Sequence, residues 1–161
     1  MSEAILAGER VITRDAIREH WLGHRRLTRR VLEAFPEDQL FSFSIGGMRP
    51  FGELVHELLA MGAPMAQGLA TNQWSQYAVG GEHSKAALLG QWDEATAEIE
   101  AAWASMPAGR LEETLNAYGQ YEGKGYELLQ YAVDNEIHHR GQGYVYLRAL
   151  GIEPPPFWER N

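Results

Sequence analysis

Large apolar residues recur at intervals of three and four along four stretches of the chain, the spacing that places them on one face of an α-helix. The first and third stretches show it in Ile17, Trp21, Val31 and Phe35, and in Leu88, Trp92, Ile99 and Met106. The pattern predicts helices over residues 15–35, 50–67, 84–106 and 125–150. Pro50 suits a first helical residue and Gly151 a C-terminal stop, so local signals support two of these boundaries.

Strict alternation of apolar and polar residues is scarce, so strands are not needed to account for the sequence. Each of the four segments is too apolar on one side to stand alone, which favours an all-α fold: a single four-helix-bundle domain over residues 1–161. The connectors exceed the roughly two to eight residues usual in tight bundles. We therefore expect a crossover, or a loop that closes over part of the bundle.

Composition narrows the function classes. The 161 residues include 14 Lys+Arg and 22 Asp+Glu, giving a formal net charge of −8, which disfavours a general nucleic-acid binder. The absence of cysteine excludes disulfides, a protein thiolate nucleophile and Cys-type zinc sites, and suits a reducing cytoplasm. No apolar run approaches the roughly 18 residues that a membrane span needs, and the first residues do not resemble a signal peptide. We expect a cytoplasmic protein with a small-molecule substrate.

The fourth helix carries polar residues where its inward face should be apolar. Its four-three register holds Leu128, Ala132, Asn135, His139, Gln142, Tyr146 and Leu150. Burying an unpartnered polar group costs about 1–3 kcal/mol, so three in succession need a shared explanation. Asn135, His139 and Gln142 could satisfy one another, hold water, or line a pocket with a bound ion.

Other polar residues could face the same space. His24 lies on the apolar stripe of the first helix, one turn from His20, and His56 lies on a strip of small residues of the second helix. Periodicity alone leaves His56 open between an enclosed and an exposed position. Arg140 and Arg148 flank the stripe of the fourth helix, where they could pair with Glu136, bind a substrate carboxylate or remain solvated.

The C-terminal block Asn135-Glu136-Ile137-His138-His139-Arg140-Gly141-Gln142, followed by Tyr146-Leu147-Arg148 and Leu150-Gly151, resembles the DinB/YfiT-like superfamily. Supporting matches are Trp21 with Arg25-Arg26-Leu27, and Phe51-Gly52-Glu53-Leu54-Val55-His56. The resemblance spans residues 15–157. It implies a helical bundle of a group in which many members are regarded as metal-dependent enzymes.

The resemblance also implies a ligand set for a divalent metal, with zinc or nickel ahead of manganese. The family's usual triad is one histidine on the second helix and two, spaced i and i+4, on the last. By position these are His56, residue 135 and His139, but residue 135 is Asn135. Asparagine is a harder and weaker ligand than imidazole. The site could use His56, Asn135 and His139, recruit Glu136 or His24, or be a pocket without metal.

The family's known activities imply a metal-dependent S-transferase that uses a low-molecular-weight thiol such as bacillithiol or mycothiol, in detoxification or stress response. In that scheme Gln142 orients a ligand or water, Arg140 or Arg148 binds a carboxylate of the thiol, and His24 is a further substrate-binding candidate. No residue is assigned as catalytic. The alternatives are a non-catalytic small-molecule-binding bundle and a metal-dependent hydrolase. The family resemblance also implies a homodimer, for which Phe157 and Trp158 could form an interface.

Overall fold

The computed structural model describes residues 12–75 and 80–161. Four long helices dominate these residues: α1 (Arg14–Ala34), α2 (Phe51–Thr71), α3 (Lys85–Ser105) and α4 (Gly125–Ala149). The predicted all-α class is confirmed. No helix among the described residues is long and apolar enough to cross a lipid bilayer.

Side-chain capping explains where α1 and α3 begin. The side chain of Thr13 accepts a hydrogen bond from the Ala16 amide before α1, and Ser84 accepts one from Ala87 before α3. Pro50 was predicted as the first helical residue of α2, but it is the N-cap, and the helix begins one residue later at Phe51. The helix then runs through Pro64 to Thr71, past the predicted end at residue 67. The helix therefore continues through an internal proline, although proline cannot donate the backbone hydrogen bond of that position.

A short hairpin in the connector before α4 was not predicted. A single-turn 3₁₀ helix (Arg110–Glu112) leads into strands β1 (Thr114–Ala117) and β2 (Tyr121–Lys124), which pair antiparallel. Tyr118 and Gly119 both have positive φ, as the central residues of a type I′ turn require. The strands are only four residues long, and only β1 alternates in burial, so their sequence carries little periodic signal.

The core lies between the helices in two apolar clusters. One contains Trp21, Leu69, Ile99 and Leu129, and the other contains Val31, Phe51, Trp92 and Tyr146. α4 passes so close to α2 that a Cβ on Gly143 would lie 2.5 Å from the ring of Phe51. This close approach brings the C-terminal part of α4 against the start of α2.

A charged network is buried where α1, α3 and α4 meet. Glu136 is only 2% exposed, and its carboxylate accepts a hydrogen bond from the Thr28 hydroxyl (2.6 Å). The guanidinium groups of Arg25 and Arg140 lie 3.9 and 4.0 Å from it. Burial raises the pKa of Glu136, and Arg25, Thr28 and Arg140 oppose that rise. Arg140 is therefore paired inside the bundle, which was one of the arrangements left open by the sequence.

The two arginines have further partners that fix their positions. Arg25 lies over the ring of Trp92 at 3.9 Å and donates to the Thr96 hydroxyl (2.7 Å). Arg140 donates to the Thr28 hydroxyl (3.1 Å). The network thus joins three helices through hydrogen bonds that each require a defined helix rotation.

We predict that Glu136→Gln destabilises the protein by about 3 kcal/mol, because breaking a buried ion pair leaves uncompensated charge inside the fold. Here the uncompensated groups are Arg25 and Arg140. Chemical denaturation at neutral pH measures the free energy of unfolding. The control Glu100→Gln changes an exposed residue of α3 and should alter that free energy by less than about 0.5 kcal/mol. Equal effects of the two substitutions would contradict a structural role for the network.

Candidate functional site

Two neighbouring residues of α2 belong to two different clusters of polar side chains. His56 and Glu57 are consecutive, so their side chains leave the helix about 100° apart. His56 lies with Glu53 and His83, whereas Glu57 faces α4 and contacts His139.

The first cluster, which we call the Glu53 cluster, consists of Glu53, His56 and His83. One carboxylate oxygen of Glu53 is 3.1 Å from His83 Nε2, and the other is 3.9 Å from His56 Nδ1. One ligand atom from each of the three residues lies within 4.8 Å of the other two. Glu53 and His56 are one helical turn apart on α2, and His83 comes from the loop before α3. Phe41 stacks on the His83 ring at 4.5 Å and holds it in place.

His56 is the unsatisfied member of this cluster. The residue is only 2% exposed, and neither ring nitrogen forms a hydrogen bond of normal geometry with the described residues, although the Glu82 backbone and the Glu53 side chain interact weakly with the ring. Burial lowers the pKa of His56, and the negative charge of Glu53 works against that shift. The imidazole is therefore neutral at pH 7, which is the form that binds metal ions.

The Glu53 cluster fits a divalent metal by its chemistry. Two imidazoles and one carboxylate form a ligand set that proteins use for zinc and for other divalent transition metals. A metal would also provide the missing partner for the buried His56 ring. His83 is 59% exposed at its side chain, so the cluster opens to solvent. Glu53, His56 and His83 thus form a possible metal-binding group.

The second cluster, the Glu57 cluster, links α2 to α4. His139 Nε2 lies 3.1 Å from Glu57 Oε1, and His139 Nδ1 lies 2.8 Å from Gln142 Oε1. Asn135 donates to the same Glu57 oxygen at 3.4 Å, and Arg49 pairs with the other oxygen at 2.6 Å. Both imidazole nitrogens face oxygen atoms, so the contacts require either a second ring proton or a Gln142 amide turned to donate. The cluster is a closed hydrogen-bond network.

The remaining predicted site residues lie elsewhere. His24 is buried, with Arg140 and Arg160 within 3.0 Å of its two ring nitrogens. Burial lowers the pKa of His24 to about 3, and the charges of Arg140 and Arg160 contribute to that shift. Arg148 is exposed on α4. Among the described contacts, none joins His24 or Arg148 to either cluster.

Comparisons with known proteins place the chain in a family. The model of the DinB family matches residues 11–160. The chain belongs to the DinB family. The uncharacterized protein YjoA of Bacillus subtilis is 26% identical over 150 residues, which cover 91% of this chain and 97% of that protein.

Two solved structures share the fold. The crystal structure of YjoA, a DinB-like protein, aligns with a TM-score of 0.69 at 22% identity, covering 90% of this chain and 99% of that one. A DinB-like protein from Bacillus cereus aligns with a TM-score of 0.73 at 17% identity, covering 89% and 97%. At these levels of identity, the two structures support the fold of this chain and nothing further about it.

The ligand set implied by the resemblance is divided between the two clusters. His56 belongs to the Glu53 cluster, whereas Asn135 and His139 belong to the Glu57 cluster, and no described contact joins His56 to His139. Sequence reasoning missed Glu53 and His83 as possible ligands. The Glu-x-x-His spacing from residue 53 to residue 56 was a usable signal for Glu53. His83 has no periodic signal because it lies in a loop.

We predict that Arg49→Met raises the pKa of Glu57. Burial alone would raise this pKa, but hydrogen bonds from Arg49 and His139 and their charges hold it below its ordinary value. A depressed folded-state pKa contributes stability above the unfolded-state pKa, and that stability is lost as the pH falls through the folded-state value. Arg49→Met should therefore also make stability less dependent on pH in the acid range.

Carbon-13 NMR titration of the Glu57 carboxyl measures the shift directly. Arg148→Met is the matched control, because it removes an exposed arginine outside the cluster. A Glu57 pKa that is the same in both variants would show that Arg49 does not stabilise the ionised carboxylate.

Proposed function

We propose that this protein is a divalent-metal-dependent enzyme that binds its metal through Glu53, His56 and His83. The observation that carries the proposal is the buried His56 imidazole, which forms no hydrogen bond of normal geometry with the described residues and lies beside a carboxylate and a second imidazole. A buried polar group without a partner is costly, so its retention calls for a ligand. Zinc or nickel fits the two imidazoles better than manganese does.

We further propose that the reaction is the transfer of a low-molecular-weight thiol, such as bacillithiol or mycothiol, to an electrophile in detoxification or stress response. A divalent ion held by three protein ligands keeps a coordination position open and lowers the pKa of a thiol or water bound there. Membership of the DinB family and the absence of cysteine support a diffusible thiol as the sulfur source. The residues of this chain hold the site: Glu53 lies beside both imidazoles, and Phe41 fixes the His83 ring.

We predict that the protein, purified without an affinity tag and stripped with a chelator, binds one equivalent of Zn²⁺ in a calorimetric titration. His83→Ala should weaken zinc binding by more than about tenfold. Losing a residue that only hydrogen-bonds to a metal ligand already costs about 10- to 100-fold in affinity, and His83 would be a ligand itself. His138→Ala is the matched control, because His138 is an exposed histidine outside both clusters.

His139→Ala separates the two possible ligand sets. The Glu53 cluster does not contain His139, so zinc affinity should be retained in this variant. Loss of zinc binding in His139→Ala, with binding kept in His83→Ala, would instead support the set of His56, Asn135 and His139 that the family resemblance implies.

We predict that the zinc-loaded protein consumes bacillithiol in the presence of an alkylating electrophile and forms the thioether, and that His56→Ala abolishes this activity. Mass spectrometry of the products distinguishes thioether from hydrolysed electrophile. Hydrolysis without thioether would favour a metal-dependent hydrolase at the same site.

One observation favours a second function, a non-catalytic binding bundle. Asn135, His139 and Gln142 already have partners in the Glu57 cluster, which is the closed network expected of a structural or binding role. A protein that takes up no metal at micromolar Zn²⁺ would support this alternative.

We also propose that the protein is a homodimer and that it is located in the cytoplasm. Phe157 and Trp158 are 68% and 67% exposed and pack against each other, as an apolar interface of a homodimer would require. The absence of cysteine suits the cytoplasm, where such thiols are kept reduced.

A further inference from the structure

A groove runs between α2 and α3 and reaches His56 at one end. Its volume is about 300 Å³, at the small end of the range for ligand pockets. Small residues of α2, Ala60, Ala63 and Pro64, form one wall. The groove therefore has room for a small ligand with a short apolar chain.

The α3 wall of the groove is acidic. Gln91, Glu94 and Glu98 line it, at the spacing of one helix face. Among the described residues neither glutamate forms an ion pair, although Glu98 accepts a hydrogen bond from Gln67 (3.1 Å). Two unpaired carboxylates on one wall create a negative potential that attracts cations and repels anions.

Two buried polar groups of the groove need hydrogen-bond partners. Gln91 Oε1 is buried without a donor among the described residues, and His56 lacks partners at both nitrogens. A Cβ on Gly81 would lie 3.1 Å from His56 Nε2 and 3.5 Å from the Gln91 side-chain nitrogen, so Nε2 is the ring atom on the Gln91 side. His56 Nδ1 is the nitrogen on the Glu53 side, at 3.9 Å. The ring thus faces the Glu53 cluster with one nitrogen and the Gln91 side with the other.

We infer that this groove binds a small organic compound that carries an ammonium group on a short apolar chain. The ammonium supplies donors for Gln91 Oε1 and charge for Glu94 and Glu98, and the chain lies along the small residues of α2. The compound is a cosubstrate of the reaction at the neighbouring Glu53 cluster; this role rests on the proposed function, whereas the binding itself does not.

Three four-carbon probes test the ligand class: n-butylammonium, 1-butanol and butyrate. We expect the wild-type protein to bind n-butylammonium most tightly, with shifts in the NMR signals of the Gln91 side-chain amide and the Gly81 backbone amide. Butyrate should bind most weakly because both carboxylates repel it. The inference would be overturned if butyrate bound as tightly as n-butylammonium, or if n-butylammonium did not bind.

The variant Glu94→Gln/Glu98→Gln tests the site. It should weaken n-butylammonium binding by about three- to tenfold, as expected for two partly exposed charge pairs. 1-Butanol binding should not change. The control Glu100→Gln/Glu153→Gln removes the same charge from exposed positions outside the groove and should leave both affinities unchanged. An equal loss in the two variants would show a general charge effect and overturn the assignment.

Zinc titration of the same variants separates this inference from the proposed function. Glu94→Gln/Glu98→Gln should keep full zinc affinity because neither residue belongs to the Glu53 cluster. Absence of zinc binding in the wild-type protein would overturn the metal site and leave the ammonium groove standing. If the wild-type protein bound zinc but not n-butylammonium, the ammonium groove would be overturned and the metal site would stand.

Discussion

The buried carboxylate of Glu136 is the constraint on which the arrangement of α4 depends. It has to lie between Arg25 and Arg140, with the Thr28 hydroxyl as a donor, because a charge at this depth is tolerated only with partners. Fixing Glu136 toward α1 fixes the rotation of the whole helix. Asn135 and His139, on the adjoining side of the helix, are then directed toward α2. The position of the second cluster is thus a consequence of the charged core.

The rotation of α2 has a comparable effect at shorter range. Consecutive residues of a helix cannot face the same neighbour, so His56 and Glu57 divide their contacts between the α3 side and α4. The Phe51 ring fits against Gly143 and brings α2 and α4 close enough for the contact between Glu57 and His139. One turn of α2 therefore supplies polar groups to two clusters with opposite properties. The Glu57 cluster is closed by its own hydrogen bonds, and the Glu53 cluster leaves a buried imidazole without a partner.

The fold was predictable because periodicity reports burial along a single helix. The four helices and the polar interruption at Asn135, His139 and Gln142 follow from spacing alone, and the structure connects those three residues through Glu57. The missed features depend on information that periodicity lacks. A one-residue difference in helix register decides whether His56 or Glu57 meets His139, and spacing does not resolve such a difference in a helix buried on several sides. His83 reaches its cluster through a loop. Glu136 and Arg140 are buried because they share partners on α1, Arg25 and Thr28, that periodicity along α4 cannot reveal.

The contrast between the two clusters indicates where a cation would be most stable. At His139 a metal ion would have to displace the contacts with Glu57 and Gln142, and Glu57 would exchange its pairing with Arg49 for the new charge. In the Glu53 cluster a metal ion would displace the 3.1 Å contact between Glu53 and His83, whereas His56 has no hydrogen bond of normal geometry to lose. The imidazole there already bears a desolvation cost on the order of 1–3 kcal/mol, which a ligand bond would offset. The negative charge of Glu53 is close to the ring and has no arginine to neutralise it among the described ion pairs. Desolvation and charge therefore both favour the Glu53 cluster, even though the family resemblance pointed to His139.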